Sequence, residues 1–308
     1  MSALARFVVF GEALTDFIRE DAKHWRSAAG GSPWNVARVA ARLGLPTGFA
    51  GAVSRDVFGE EILRLSREAG LDLRFTQQVD RPPLLAMVVS KHPPRYFFVG
   101  ADSADLHFDP GSLPPRWLDD AEVLHFGSIS LARSPLAGRL LAIAEAAHAA
   151  GKRVAFDPNH RNVMGEDYQP TLRRMAELSD YIKVSDEDLA GLFPGLGERD
   201  ALGQLRAWSP RASILLTRGA AGLRLITSER EVVQPAIPVA VIDTVGCGDA
   251  SMGGWIHSLV TRPAETLEAH AAFAVATAAV ACQHHGAYAP LYGEVAALLA
   301  ACTRPAEA

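Results

Sequence analysis

Residues 239–260, VAVIDTVGCGDASMGGWIHSLV, hold the side chains best placed to do chemistry: an apolar run enters Gly246-Cys247-Gly248-Asp249 and leaves as a helix. Glycines let backbone N–H groups turn toward a ligand, and a helix N-terminus adds partial positive charge, so the loop suits an anion such as phosphate. A P-loop needs GxxxxGK[ST], and neither the lysine nor the preceding glycine stands at that spacing. A dinucleotide fingerprint needs GxGxxG, whose last position is Ser251 here. A carboxylate inside a phosphate cradle repels a resting pyrophosphate unless it has a task of its own. As a base, Asp249 can take the proton of an attacking hydroxyl while the loop stabilises charge on a transferring phosphoryl group. On the loop alone, a carboxylate that caps the helix is the equal alternative.

Two further groups of residues share this character. In Gly30-Gly31-Ser32-Pro33-Trp34-Asn35, Ser32 reads as a helix N-cap and Pro33 as the first helical position, with Val36, Val39, Ala40 and Leu43 as the buried stripe. Asn35 then lies in the first turn, where its amide can meet a ligand. In AFDPNHR, Asp157, Asn159 and Arg161 follow an apolar strand, and open parallel sheets place their ligand crevice at such strand ends. Arginine is also a common surface residue, and Asp16, after the first strand, reads equally as a turn residue.

DTVGCGDASMGG closely resembles the DTxGAGD signature of the ribokinase-like (PfkB) sugar kinases, with Cys247 where alanine is usual. GGSPWNVARVAARLG resembles the family's other signature, in the expected order and at the expected separation, so the resemblance spans essentially the whole chain. It implies a Rossmann-like α/β fold with a small β-sheet lid, ATP and Mg²⁺ as cosubstrates, and phosphorylation of a sugar's primary hydroxyl. Asp249 would be the base, and Gly246, Cys247 and Gly248 the anion hole. Asp16, Gly30, Gly31, Asn35, Asn159 and Arg161 would face the sugar. Lys183, Ser185, Thr217, Gly219, Gly222, Gly286 and Ala287 would face ATP. Where many relatives carry NxxE in the metal–phosphate network, this chain has Ser185-Asp186-Glu187-Asp188, so Asp188 is the implied Mg²⁺ contact, with a shorter reach. Potassium, known in parts of the family, would involve the backbone around Asp243 and Thr244. GEALTDF and KVSDEDL look most like fructokinases, although Gly100 stands where those often carry a lid arginine. The implied reaction is transfer of the ATP γ-phosphoryl group to O6 of D-fructose. The alternatives are 2-keto-3-deoxygluconate, ribose or a nucleoside as substrate; a noncatalytic sugar- or nucleotide-binding regulator and an oxidoreductase are alternatives of other classes. Pairing of two chains through the lid is the implied assembly.

A scaffold must hold these groups, and the rhythm of the chain supplies one. Short β-branched and aromatic runs alternate with segments of helical period: FVVFGE then NVARVAARLG, EVLHFGS then PLAGRLLAIAEAAHAAG, RVAFD then a helix over residues 171–178, ILLTRG, and VAVID before a helical final third. That alternation predicts βαβ units and a mostly parallel sheet with helices on both faces. Residues 12–29 and 84–105 break it; in the second, LLAMVVS and RYFFVG read as paired strands joined by KHPP, either a lid or an edge hairpin. With 308 residues, 49% hydrophobic and 21% charged, the chain can bury the core of one kinase domain over residues 1–308. A net charge of -5 gives no basic footprint for nucleic acid or anionic lipid. The alanine-dominated stretch 271–282 is too short for a bilayer and reads as a buried helix. The start lacks the long apolar core of a secretory signal, and Cys247, Cys282 and Cys302 suit neither a disulfide framework nor a zinc site, so a reduced, cytoplasmic protein is expected.

Overall fold

Runs such as FVVF and SILLT carry apolar side chains on both faces of a strand and need cover on both sides. The computed structural model, which describes residues 4–91 and 94–303, gives them that cover. In chain order the strands are β1 (Phe7–Phe10), β2 (Leu14–Arg19), β3 (Trp25–Gly30), β4 (Thr47–Ser54), β5 (Thr76–Val79), β6 (Leu85–Lys91), β7 (Pro94–Val99), β8 (Val123–Gly127), β9 (Arg153–Asp157), β10 (Tyr181–Ser185), β11 (Ser213–Thr217), β12 (Leu223–Ile226) and β13 (Glu231–Gln234). Nine of them form one sheet in the order β13-β12-β11-β10-β9-β8-β1-β4-β5, parallel except at the β12 and β13 end.

The period of two along each strand divides the core. Phe7, Val9, Val123 and Leu215 pack with Trp34, Met252, Trp255 and Ala274 from the Ser32–Arg42, Cys247–Thr261 and Leu267–Cys282 helices. Val8, Phe10, Phe126 and Phe156 point the other way, onto Leu140, Leu172 and Leu205 of the Leu136–Ala149, Gln169–Leu178 and Glu198–Trp208 helices. Val36, Val39, Ala40 and Leu43 are buried, as their spacing predicts. Among the described residues no helix is long and apolar enough to cross a membrane, and residues 271–282 belong to the buried Leu267–Cys282 helix.

The two segments that break the βαβ rhythm make a second sheet, in the order β3-β2-β6-β7. Each supplies an antiparallel pair, and β2 runs parallel to β6 between them. His92 and Pro93 of the KHPP joint lie outside the described residues. One expectation fails: VAVID, residues 239–243, is not a strand. Its β-branched residues find no partner strand; the N–H groups of Ile242 and Asp243 donate instead to the Cys282 carbonyl, at 2.8 and 3.2 Å.

Candidate active site

After β1 the chain builds β4 and β5 on one side, and later β8 to β11 on the other, so the order of strands reverses between β1 and β8. A crevice opens outside the carboxyl ends of the strands at such a switch point. Glu12 follows β1, Ser128 follows β8, Asp157 ends β9 with Asn159 and Arg161 just beyond, Lys183 lies within β10 and Ser185 ends it, and Thr217 ends β11. Asn159 turns the chain there with φ 42°.

Two helix N-termini meet over this crevice. Asp249 lies in the first turn of the Cys247–Thr261 helix, and Gly246, in the left-handed region, holds the cap position. The carboxylate is therefore not a cap. It is buried, and it accepts hydrogen bonds from Ser32 Oγ at 2.7 Å and Asn35 Nδ2 at 2.9 Å. Ser32 is not a cap either: Gly31, with φ 110°, takes that position, and Ser32 is the first helical residue. A backbone angle that suits glycine moves the helix start back by one residue and hands the serine hydroxyl to Asp249. Asn35 Oδ1 is buried without a partner, ready to accept from a ligand.

Two cavities flank Asp249. The smaller, about 270 Å³, lies between the main sheet and the second one and is lined by Glu12, Asp16, Asn35, Tyr96 and Phe98 among others. The larger, about 680 Å³, runs past Asn159, Lys183, Asp188, Thr217 and Gly222. They share Arg161, Gly246 and Asp249. A base at the junction of two cavities, beside the N–H groups of a helix start, is the geometry for moving a group from a donor in one to an acceptor in the other. The family model described as "pfkB family carbohydrate kinase" matches residues 4–292. The chain belongs to the pfkB family of carbohydrate kinases.

Its relatives agree. A fructokinase of Rhizobium leguminosarum bv. trifolii is 34% identical over 257 residues, 81% of this chain and 78% of that one. An aminoimidazole riboside kinase of Salmonella typhimurium is 30% identical over 291 residues, 89% of this chain and 90% of that one. The crystal structure of a fructokinase from Xylella fastidiosa with bound ATP superposes with a TM-score of 0.89 at 27% identity, over 98% of this chain and all of that one. This pfkB-family kinase is thus an ATP-dependent phosphotransferase acting on a carbohydrate alcohol group.

The electrostatics of the kinase site follow from burial. Burial pushes the Asp249 carboxyl up, opposed by the bonds from Ser32 and Asn35 and by the charges of Lys183 and Arg161, which moves a base toward neutrality, where it works best. Burial likewise raises Asp16 to about 6, with Arg161 opposing and Asp249 adding to the rise. Gly30 makes room for it: a Cβ there would lie 2.4 Å from Asp16 Oδ2. Lys183 Nζ stands 3.1 Å from Asp157 and 3.8 Å from Asp188. Burial pulls the ammonium down, but the carboxylates of Asp157, Asp188 and Asp249 outweigh it and leave it above its ordinary value. Burial raises Asp157 to about 7 against the pull of Lys183. The proton these two compete for belongs on Lys183, where one charge serves several carboxylates.

Not every residue expected at the nucleotide reaches the larger cavity. Lys183, Ser185, Thr217, Gly219 and Gly222 line it; Gly286 and Ala287 do not. They back the glycine loop instead: Gly286 N–H donates to Asp243 at 3.0 Å, and a Cβ at Gly246 would lie 2.7 Å from that of Ala287. Ser185 and Asp188 close a capping box, and Asp188 also accepts from the His160 N–H at 2.8 Å. Glu12 escaped the sequence reading altogether. It is 1% exposed, lines the smaller cavity and accepts a hydrogen bond from Ser130. Burial, opposed by bonds from Ser130 and Ser128, pushes it up to about 7. A carboxyl raised in the folded state binds a proton more tightly there than in the unfolded chain. The stability it contributes is present below its unfolded value of 4.5 and is lost as pH rises through about 7. In Glu12→Gln, thermal melts should match the wild type near pH 4.5 and exceed it above pH 7 by up to ~3 kcal/mol. A difference that does not change with pH would place the Glu12 proton elsewhere.

Proposed function

We propose that this kinase transfers the γ-phosphoryl group of ATP to O6 of D-fructose, giving fructose 6-phosphate. The observation that carries this reading is the composition of the smaller cavity: Glu12, Asp16 and the unpaired Asn35 Oδ1 offer acceptors to several hydroxyls, against a wall of Tyr96 and Phe98. About 270 Å³ suits one monosaccharide. Asp249, held by Ser32 and Asn35, takes the proton of the attacking hydroxyl, and the N–H groups at the helix start hold the oxygens of the passing phosphoryl group. Arg161, facing both cavities, offsets charge along that path. The second sheet covers the sugar as a lid of the single kinase domain and excludes water.

An acidic sugar such as 2-keto-3-deoxygluconate fits this cavity poorly. Among the described residues its lining sets Glu12, Asp16 and Asp249 against one cation, Arg161. Gly100 brings no second one, because a Cβ there would already lie 3.2 Å from Arg133 Nη2, and that guanidinium is paired with Asp105. Aminoimidazole riboside is the better second reading, favoured by the 30% identical relative and by Tyr96 and Phe98, whose rings can stack on a planar heterocycle.

Mg²⁺ fits a site built mainly of phosphate and water oxygens. Among the described residues no group of three or more His, Cys, Asp or Glu could cage a metal, and Mg²⁺ characteristically keeps its waters and takes only one or two carboxylates. Asp188, whose oxygens already accept two N–H groups, would reach it through water. When bound, the ion neutralises charge on the phosphates. A potassium ion would sit by the Asp243–Thr244 turn, and a second chain would pair through the outer face of the lid, where Phe97 and Val99 are exposed. The expected compartment is the cytosol, where ATP is supplied.

ADP release measured with D-fructose, ribose, 2-keto-3-deoxygluconate and aminoimidazole riboside tests the assignment. The highest kcat/KM should belong to fructose and the lowest to the acid. Turnover of the riboside without turnover of fructose overturns it.

A further inference from the structure

Cys247 opens the helix that carries Asp249, and Cys282 ends the helix packed along it. Both line the larger cavity, and their side chains lie near enough to influence each other electrostatically. The backbone between them fixes this arrangement. Cys247 Sγ lies 3.8 Å from the Asp243 carbonyl oxygen, and the Cys282 carbonyl accepts from the N–H groups of Ile242 and Asp243. Both side chains are half-buried and open to whatever enters the cavity; Cys302 is exposed on the Tyr292–Thr303 helix. Two neighbouring thiols on the floor of a nucleotide cavity are a dithiol site, whichever sugar the kinase uses.

We propose that Cys247 and Cys282 are oxidised by low-molecular-weight disulfides to an intramolecular disulfide that reversibly disables the kinase when no nucleotide fills the cavity. One protein thiolate attacks a sulfur of the added disulfide, expelling one small thiolate and leaving a mixed disulfide. The second protein thiolate attacks the protein sulfur of that mixed disulfide and expels the other small thiolate. The protein loses two protons and two electrons, and the added disulfide gains them as two thiols. The sulfurs must then close to a bond of about 2 Å, which draws the first turn of the Asp249 helix out of place. A misplacement of about 1 Å at a reacting group can cost about a hundredfold in rate. ATP in the cavity covers both sulfurs and blocks the approach of the oxidant.

The proposal rests on the larger cavity being the nucleotide site, and its test reads the bond separately from turnover. The full-length kinase is incubated with oxidised glutathione, with and without saturating ATP; free thiols are then blocked, peptides mapped by mass and ADP release assayed. A Cys247–Cys282 cross-linked peptide is expected, with turnover down about a hundredfold, recovery in dithiothreitol and slower cross-linking under ATP. Cys282→Ser and Cys247→Ala, each compared with its own untreated activity, should lose nothing. The absence of that peptide, a cross-link with unchanged turnover, equal loss in Cys282→Ser, or no protection by ATP overturns the proposal.

Discussion

Asp249→Asn should lower kcat by about a hundred- to ten-thousandfold, the range spanned by general-base catalysis, while the fold and ATP binding survive. The substitution keeps shape. The Asn carbonyl oxygen can still accept from Ser32, and the neighbouring Asn35 amide can turn so that its Oδ1, unpartnered at present, accepts from the new amide group. What is lost is the ability to hold a proton. Removing a buried negative charge beside a phosphate path does not weaken an anionic ligand, so calorimetric ATP affinity should be unchanged or tighter. In the unaltered kinase, activity should fall on the acid side as pH drops through a value above the ordinary aspartate range, because burial raises the Asp249 carboxyl. A kcat within tenfold of wild type would move the base to another group; loss of ATP binding would make Asp249 a structural residue instead.

Much of the architecture was legible because it depends on pattern. The alternation of short apolar runs with helical segments pointed to a mostly parallel sheet and to its strands β1, β8, β9 and β11, and the two stretches that broke it became the second sheet. VAVID misled because β-branched composition reports what a strand accepts, not whether a partner strand is there; Val239 and Val241 line a cavity instead of pairing. Asp249, Asn35, Asn159 and Arg161 drew attention by their places at a helix start or strand end, whereas the residues expected at ATP, such as Lys183, Ser185 and Thr217, came only from the family resemblance. Glu12 was not, because a glutamate beside a glycine carries no sign that the fold will bury it against Ser130. Ser32 was read by propensity as a cap, and a single glycine angle at residue 31 reassigned its hydroxyl to the base. The nearness of Cys247 to Cys282 has no trace in their separation along the chain, since it arises from two helices lying side by side.

Lys183→Met should damage both stability and nucleotide binding, and do so more at high pH than at low. The ammonium is 4% exposed and stands between Asp157 and Asp188, and a Cβ on Gly248 would lie 3.1 Å from it, so its charge sits directly behind the anion loop. Removing one partner from a buried ion pair typically costs about 3–5 kcal/mol, because the remaining charge is left without compensation. Asp157 has an escape. Burial already raises it to about 7 even with Lys183 present, and without the lysine its affinity for a proton rises further. A carboxyl raised in the folded state contributes stability below its unfolded value that is lost as pH rises through its folded value. Near pH 6 the variant can therefore protonate Asp157 and keep part of its stability, whereas near pH 8 it must bury a bare charge or neutralise it at a cost. Urea melts should show the deficit growing from pH 6 to pH 8, while KM for ATP rises by about tenfold or more, the worth of a hydrogen bond to a charged group. Equal deficits at both pH values would mean that Asp157 does not take up the proton, and an unchanged KM would take Lys183 out of contact with the phosphates.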